Sequence, residues 1–182
     1  GLNFIRGQKE DFDDWEKLGA KGWNYDNVLS YFRKLENYQG KESQYHGSLG
    51  NMIVSELNNN NPSCRAWVEA AKEFGLPANE DFNGETTYGV GSYQFSSTGR
   101  MRYSSATAFL KPAMKRSNLK VKTNALVSKV LFNKNKAIGV EWIENGEVKK
   151  AYANCEVILS GGSLQSPQIL QLSGIGPAEL LK

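Results

Sequence analysis

Hydrophobic side chains recur every three or four positions in three segments of the first half of the chain, and this spacing predicts helices. The segments are residues 11–19, 24–36 and 61–75. Asn24 and Asn61 are suited to cap the second and third helices, and Pro62 fits a first helical turn, where its missing N–H costs nothing. The apolar stripes consist of Phe12, Trp15 and Leu18; Val28, Tyr31, Phe32 and Leu35; and Cys64, Trp67, Ala71 and Phe74.

In the second half of the chain the hydrophobic period changes to two, the spacing of strands. Asn145-Gly146 is a strong signal for a hairpin turn within this part. The strands that we predict along the chain cover residues 51–57, 119–132, 136–144 and 147–154. The stretch over residues 76–103 is rich in Gly, Asn, Thr and Tyr and predicts loops.

Residues 156–162, EVILSGG, carry a continuous apolar run that ends in two glycines. Such a run predicts a strand buried on both faces of a parallel sheet, and open α/β sheets bind ligands at the carboxyl ends of their strands. Ser166 is suited to cap a helix that begins at Pro167. Gly161 and Gly162 lack Cβ atoms, so an adenosine or a phosphate can lie against this turn. A purely structural turn explains the same residues.

Composition argues against several classes of protein. The chain has 182 residues and a net charge of +3, and its charges are dispersed, so we expect no nucleic-acid partner. No apolar run approaches the roughly 20 residues that span a bilayer. Cys64 and Cys155 are predicted to be buried free thiols. His46 is the only histidine and no CxxC occurs, which excludes structural zinc.

One segment near the end of the chain resembles a known family. Residues 162–176, GSLQSPQILQLSGIG, resemble the second signature of the glucose–methanol–choline (GMC) flavin oxidoreductases. Within that family the chain looks most like choline dehydrogenases and related bacterial alcohol dehydrogenases. Other segments resemble the family in type and in order: FIRG, DFDDW, GWNYDNVLSYFRKLE, YHGSLG, DFNG, GRMRYSSATAFLKP and NLKVKTNALVSKVLF.

The resemblance implies a fold class and a division of the chain. The expected fold is α+β: a partial FAD-binding α/β domain with strands, a β-meander and short helices, and a small segment of the substrate-binding domain. Residues 1–50 would be a loop and helices associated with the FAD domain, residues 51–92 the substrate-domain segment, and residues 93–182 a further part of the FAD-binding domain.

The resemblance also implies an activity and a cofactor. The family moves hydride from a CH–OH group, here of choline or another primary alcohol, to FAD. Gly1, Leu2, Asn3 and Phe4 would follow the loop beside the isoalloxazine ring. The backbone of Val127 would meet the adenine. The turn formed by Ser160, Gly161 and Gly162 would approach the adenosine.

The sequence lacks three parts of such an enzyme, and one of them, the flavin-contacting loop of relatives, would lie immediately before Gly1. No GxGxxG motif is present, and the catalytic histidine of relatives would lie beyond Lys182, so we assign no catalytic residue here and do not expect His46 to be the base. We therefore expect an internal segment of a longer FAD enzyme that is inactive alone and holds no FAD by itself. The alternative is a non-catalytic nucleotide-binding or interaction module. The expected partners are a small-molecule alcohol for the parent and further copies of the chain, whose incomplete sheets favour self-association. A cytoplasmic and a membrane-associated location of the parent both stay open.

Overall fold

A computed structural model of the chain describes residues 2–56, 61–98 and 100–181. The chain divides into two compact units, Gly1–Leu119 and Lys120–Lys182, and each is described by itself. Among the described residues, no helix is both long enough and apolar enough to cross a membrane.

The predicted helices of the first unit are confirmed, and so are their caps. They are α1 (Lys9–Lys17), α2 (Tyr25–Leu35) and α3 (Pro62–Glu73), and a π-helical turn (Ala106–Leu110) leads into the short α4 (Lys111–Ala113). The side chain of Asn24 accepts a hydrogen bond from the Asn27 N–H at 3.0 Å. Asn61 accepts one from the Ser63 N–H at 2.9 Å. Each bond satisfies an N–H that has no partner within its helix.

The first unit also contains a four-stranded mixed sheet in the order β1-β4-β3-β2. The strands are β1 (Asn3–Phe4), β2 (Glu36–Tyr38), β3 (Met52–Glu56) and β4 (Gln94–Phe95). β2 pairs with β3 in parallel, whereas β4 pairs antiparallel with both β3 and β1. The strand predicted over residues 51–57 corresponds to β3, except that Leu57 lies outside the described residues. The described part of the loop-rich stretch contains the two-residue strand β4.

Two small apolar cores hold these elements together. One lies between α1 and α2 and consists of Phe12, Tyr25 and Val28, with Leu29 and Phe32 packed against it. The other lies on the sheet and consists of Met52, Val54 and Ala108, with Phe4, Leu35, Tyr38, Tyr103 and Phe109 around it. Tyr31, which the helical stripe predicted on the apolar face of α2, is exposed instead.

The YHGSLG turn requires glycine because its backbone passes very close to α2. A Cβ added to Gly47 would lie 1.8 Å from the carbonyl oxygen of Arg33, and real Cβ atoms do not approach backbone so closely. The Gly47 carbonyl in turn accepts a hydrogen bond from the Tyr38 N–H at 2.8 Å. The turn is thereby fixed against the end of α2 and the start of β2.

The second unit is an antiparallel meander with helices after it. Its strands are β5 (Leu126–Asn133), β6 (Lys136–Glu144) and β7 (Glu147–Tyr152), followed by α5 (Gly162–Leu172) and α6 (Ala178–Leu181). Asn145 and Gly146 form the predicted hairpin turn with φ values of 53° and 80°. The first of the three predicted strands begins only at Leu126, so residues 119–125 are not part of it.

Three predictions from the sequence are wrong. Residues 156–160 form no strand, and Ile158 is 76 % exposed, because no described strand pairs with this segment and a parallel strand needs neighbours. Ser166 does not cap a helix that starts at Pro167. Instead α5 begins at Gly162 and contains both residues. Cys64 and Cys155 are free, as predicted, but they are exposed rather than buried.

Candidate functional site

The segment at the start of the chain that is predicted to lie near a flavin forms a short, firmly held strand. Gly1 lies outside the described residues. Asn3 and Phe4 form β1, opposite Phe95 and Gln94 of β4. The Leu2 carbonyl accepts hydrogen bonds from the N–H and the hydroxyl of Ser96, at 2.9 and 3.2 Å. Asn3 is exposed, so this side chain is accessible from outside the unit.

The side-chain amide of Asn83 is a second anchor for this segment. Its Nδ2 donates a hydrogen bond to the Phe4 carbonyl at 2.9 Å, and its Oδ1 accepts one from the Arg6 N–H at 2.7 Å. Asn83 is buried, and its own N–H donates to Asp81 Oδ1 at 3.0 Å. One side chain therefore binds the backbone on both sides of Ile5.

Asn83 belongs to a closed ring of hydrogen bonds that we call the buried circuit, in which every member is buried except the half-buried Asp81. Its members are Arg6, Glu36, His46, Asp81, Asn83 and Gln94. Asn83 Nδ2 donates a hydrogen bond to Gln94 Oε1 at 3.0 Å. Gln94 Nε2 in turn donates one to Asp81 Oδ1 at 2.8 Å. Asp81 Oδ2 lies 3.0 Å from His46 Nε2, and His46 Nδ1 lies 3.1 Å from both carboxylate oxygens of Glu36. Arg6 Nη2 closes the ring on Glu36 Oε2 at 2.6 Å.

The charges of the circuit balance each other. Burial by itself lowers the pKa of His46, but its hydrogen bonds to Asp81 and Glu36 and the charges of these carboxylates outweigh burial and raise the pKa to about 9. Burial also opposes the ionisation of Asp81, yet the hydrogen bond from His46 prevails and lowers its pKa. Two cations, Arg6 and His46, thus face two carboxylates, Glu36 and Asp81.

His46 is held as a structural cation. The ring of Tyr38 stacks on its imidazole, with 3.9 Å between ring centroids and 18° between the planes. Both ring nitrogens already have carboxylate partners, and the residue is buried. In this arrangement no ring nitrogen is left to accept a proton from a substrate.

The other predicted cofactor residues lie in the second unit. Val127 is half-buried in β5 opposite Trp142, and the register shifts between Val127 and Lys129. Such a bulge changes the direction of a strand and frees backbone groups from the ladder. Farther along β5, the Val130 N–H donates to the hydroxyl of Ser173, just after α5, at 2.8 Å. This bond ties the strand to the helix that follows the glycine turn.

The residues of the turn, Ser160, Gly161 and Gly162, are all exposed. The Gly161 N–H donates to Ser166 Oγ at 2.9 Å, which fixes the turn on the first part of α5. Gly162 has φ +87°, a conformation that favours glycine, and a Cβ added there would meet nothing within 4 Å. An open turn of this kind lets a ligand approach its backbone closely. The chain offers no GxGxxG cradle for the pyrophosphate.

The structure thus places the predicted residues in two groups, Leu2–Phe4 in the first unit and the others in the second. Sequence reasoning missed the buried circuit. Its members come from five separate segments, and no local spacing marks them as partners. The sequence signal that could have pointed to it is the resemblance of the FIRG, YHGSLG and DFNG segments to the GMC family. These segments contain Arg6, His46, Asp81 and Asn83.

Comparisons with known proteins agree with the resemblance. The family model of the GMC oxidoreductases matches residues 1–181. The mitochondrial choline dehydrogenase of Homo sapiens is 44 % identical over 98 % of the chain, which covers 30 % of that protein. The oxygen-dependent choline dehydrogenase of Rhizobium johnstonii is 41 % identical over 100 % of the chain, covering 33 % of that protein.

A solved FAD-dependent oxidoreductase from Chaetomium thermophilum has the same fold. It superposes with a TM-score of 0.88 at 32 % identity, over 98 % of this chain and 33 % of its own. The α+β fold predicted from the sequence, a partial FAD-binding domain, is thereby confirmed. The chain spans about a third of the length of the curated relatives it matches. It belongs to the GMC oxidoreductase family.

Proposed function

We propose that this chain forms part of an FAD-dependent alcohol oxidoreductase whose substrate is choline or another primary alcohol. The observation that carries the proposal is the identity of 41–44 % with two choline dehydrogenases, which extends along 98–100 % of the chain. When bound, FAD accepts the hydride that leaves the carbinol carbon of the alcohol. The residues of this chain bind and orient the cofactor.

Two groups of residues would hold FAD. Gly1, Leu2, Asn3 and Phe4 lie on the isoalloxazine side, which is supported by the exposure of Asn3 and by the double anchoring of the strand. Val127 and the turn 160–162 lie on the adenosine side, which is supported by the bulge in β5 and by the open, Cβ-free turn. The chain supplies no catalytic histidine in this proposal.

The proposal also assigns the rest of the enzyme to other parts of a longer polypeptide. The curated relatives are about three times as long as this chain. A pyrophosphate cradle and the catalytic base would lie in that remainder, so these 182 residues alone bind FAD weakly or not at all and are inactive. Residues 1–50 and 93–182 would belong to the FAD-binding domain, and residues 51–92 would border the substrate domain.

Flavin titration tests this assignment on two proteins. The 182-residue chain and the full-length polypeptide that carries it are each titrated with FAD, and visible absorption and flavin fluorescence are followed. We expect saturable binding and choline- or alcohol-dependent bleaching of the flavin only for the full-length polypeptide.

Two outcomes would contradict the proposal. Tight binding of FAD by the 182 residues alone, with no alcohol-dependent bleaching in the longer polypeptide, would favour a non-catalytic nucleotide-binding module. A natural reading frame that encodes only these 182 residues would exclude the assignment of the pyrophosphate cradle and the catalytic base to the rest of a longer polypeptide. Comparing choline with other primary alcohols in the same bleaching assay would decide which of the two proposed substrates the enzyme uses.

A further inference from the structure

We propose that Asn83 is a positioning residue, and that the buried circuit holds strand β1 in the place that flavin chemistry requires. This inference rests on the proposed function, because β1 is positioned for chemistry only if a flavin lies beside it. None of the circuit members needs to touch the cofactor. They act through the backbone of residues 4–6, which Asn83 binds on both sides of Ile5.

The geometry of Asn83 supports this role because both ends of its amide are used. The Oδ1 atom accepts from the Arg6 N–H, while Nδ2 donates to the Phe4 carbonyl and to Gln94 Oε1. Only an amide of this length supplies an acceptor and a donor at these two points. Asn83 is 3 % exposed, so water does not replace a lost bond easily.

The remaining members of the circuit make this anchor stiff. Each member is bonded to at least two others, and the most enclosed of them, Glu36 and Gln94, are 0 % and 1 % exposed. Glu36 also accepts from the Gly47 N–H at 3.2 Å, which links the circuit to the close-packed glycine turn. A displacement of β1 therefore breaks bonds among buried charges, and these are costly to leave unpaired.

A small displacement next to a reacting centre has a large kinetic effect. A shift of 1 Å caused by a mutation remote from the chemistry can cost about 100-fold in rate. The Asn83→Asp substitution keeps the acceptor for the Arg6 N–H but places a carboxylate oxygen against the Phe4 carbonyl and Gln94 Oε1. We expect this repulsion to move β1 while leaving the apolar cores in place.

The test begins on the 182-residue chain, where His46 is the only histidine and so gives unambiguous NMR signals. In the wild type we expect two slowly exchanging ring N–H resonances, since both nitrogens are bonded to carboxylates. The Asn83→Asp and Asn83→Ser variants should shift these resonances through the circuit. Val28→Ala, a truncation in the α1–α2 core outside the circuit, should lower stability without shifting them.

The second step uses the full-length polypeptide with FAD bound. For Asn83→Asp we expect kcat to fall about 100-fold, with a shifted flavin absorption spectrum and a KM within a few-fold of the wild type. Asn83→Ser is smaller and uncharged, so it serves if the first variant does not fold, and we expect a weaker effect in the same direction. Val28→Ala at a comparable loss of Tm should keep both kcat and the spectrum.

The outcomes separate this inference from the proposed function. A flavin-loaded, active wild type whose Asn83 variants keep its kcat and spectrum would overturn the positioning role alone. A wild type without flavin would overturn both proposals, and the His46 resonances would still report whether the circuit exists. Equal losses of kcat in Val28→Ala and the Asn83 variants would reduce the effect to general destabilisation and overturn the inference.

Discussion

At the scale of single residues, the charge of His46 couples folding of the first unit to pH. Its pKa is about 9 in the folded chain, raised above the ordinary value of about 6.5 by Asp81 and Glu36. A raised pKa contributes stability that is fully present below about pH 6.5 and is lost as pH rises through about 9. We expect the free energy of unfolding to fall by on the order of 3 kcal/mol across this window.

Urea denaturation between about pH 6 and pH 9.5 measures this loss, with His46→Gln as the matched control. The pH slope should be present in the wild type and largely absent from the variant. Other titrations of the site lie outside the window: the pKa of Tyr38 is raised to about 12, and that of Asp81 is lowered below its usual acidic value. If the variant does not fold, titration of the single histidine by NMR gives the pKa directly. Equal slopes in both proteins, or a histidine that titrates near pH 6.5, would disprove the coupling.

At the scale of elements, one hydroxyl joins α5 to β5. Ser173 Oγ accepts from the N–H of Val130, which is buried, and donates to the Ile169 carbonyl at 2.5 Å. Ser173→Ala leaves the Val130 N–H without this partner, and an unsatisfied buried donor costs about 1–3 kcal/mol. We expect the second unit to lose that much stability, measured by the exchange protection of amides in the meander.

Ser163→Ala is the control for this substitution because Ser163 lies exposed on the same helix. Its effect should stay within about 0.5 kcal/mol. Unchanged protection of the β5 amides in Ser173→Ala would show that water replaces the hydroxyl and that the helix and strand are not coupled through it.

The elements also show what the sequence could predict. The caps at Asn24 and Asn61 and the turn at Asn145-Gly146 depend on residues close in sequence, and all three were correct. The strand over residues 156–160 was wrong because a strand forms only against partners, which a local apolar run does not specify. Pro167 correctly indicated a helix in this region, but the helix begins at Gly162, so Pro167 lies inside it and not in its first turn.

Residues of the candidate site could be predicted only where they belong to a segment that resembles the family. The resemblance marked Leu2–Phe4, Val127 and the turn 160–162, and their roles toward FAD stay predictions. The buried circuit was not predicted, since its bonds join residues up to 77 positions apart and charged residues are usually exposed. Long-range pairing of buried charges follows from the fold and not from local pattern.

At the scale of the whole molecule, most of the apolar face of α3 is exposed within the described part of the chain. None of the described residues of this helix is buried, and Trp67 and Phe74 are 66 % and 88 % exposed. Exposed apolar side chains of this size mark association surfaces. In the proposed longer enzyme, we expect the remaining two thirds of the polypeptide to cover this face. In the 182-residue chain alone, we expect a second copy to take that place.

Sedimentation velocity over a range of protein concentrations tests this expectation. The wild-type chain should associate as its concentration rises, and the double variant Trp67→Gln, Phe74→Gln should associate less, because glutamine keeps the helix propensity of α3 but removes the apolar contact. Leu18→Gln is a control: Leu18 is also strongly exposed but lies after α1, away from α3. Association that persists in the double variant and disappears in Leu18→Gln would assign the contact to the other surface. A chain that stays monomeric at every concentration would show that the face of α3 does not drive association.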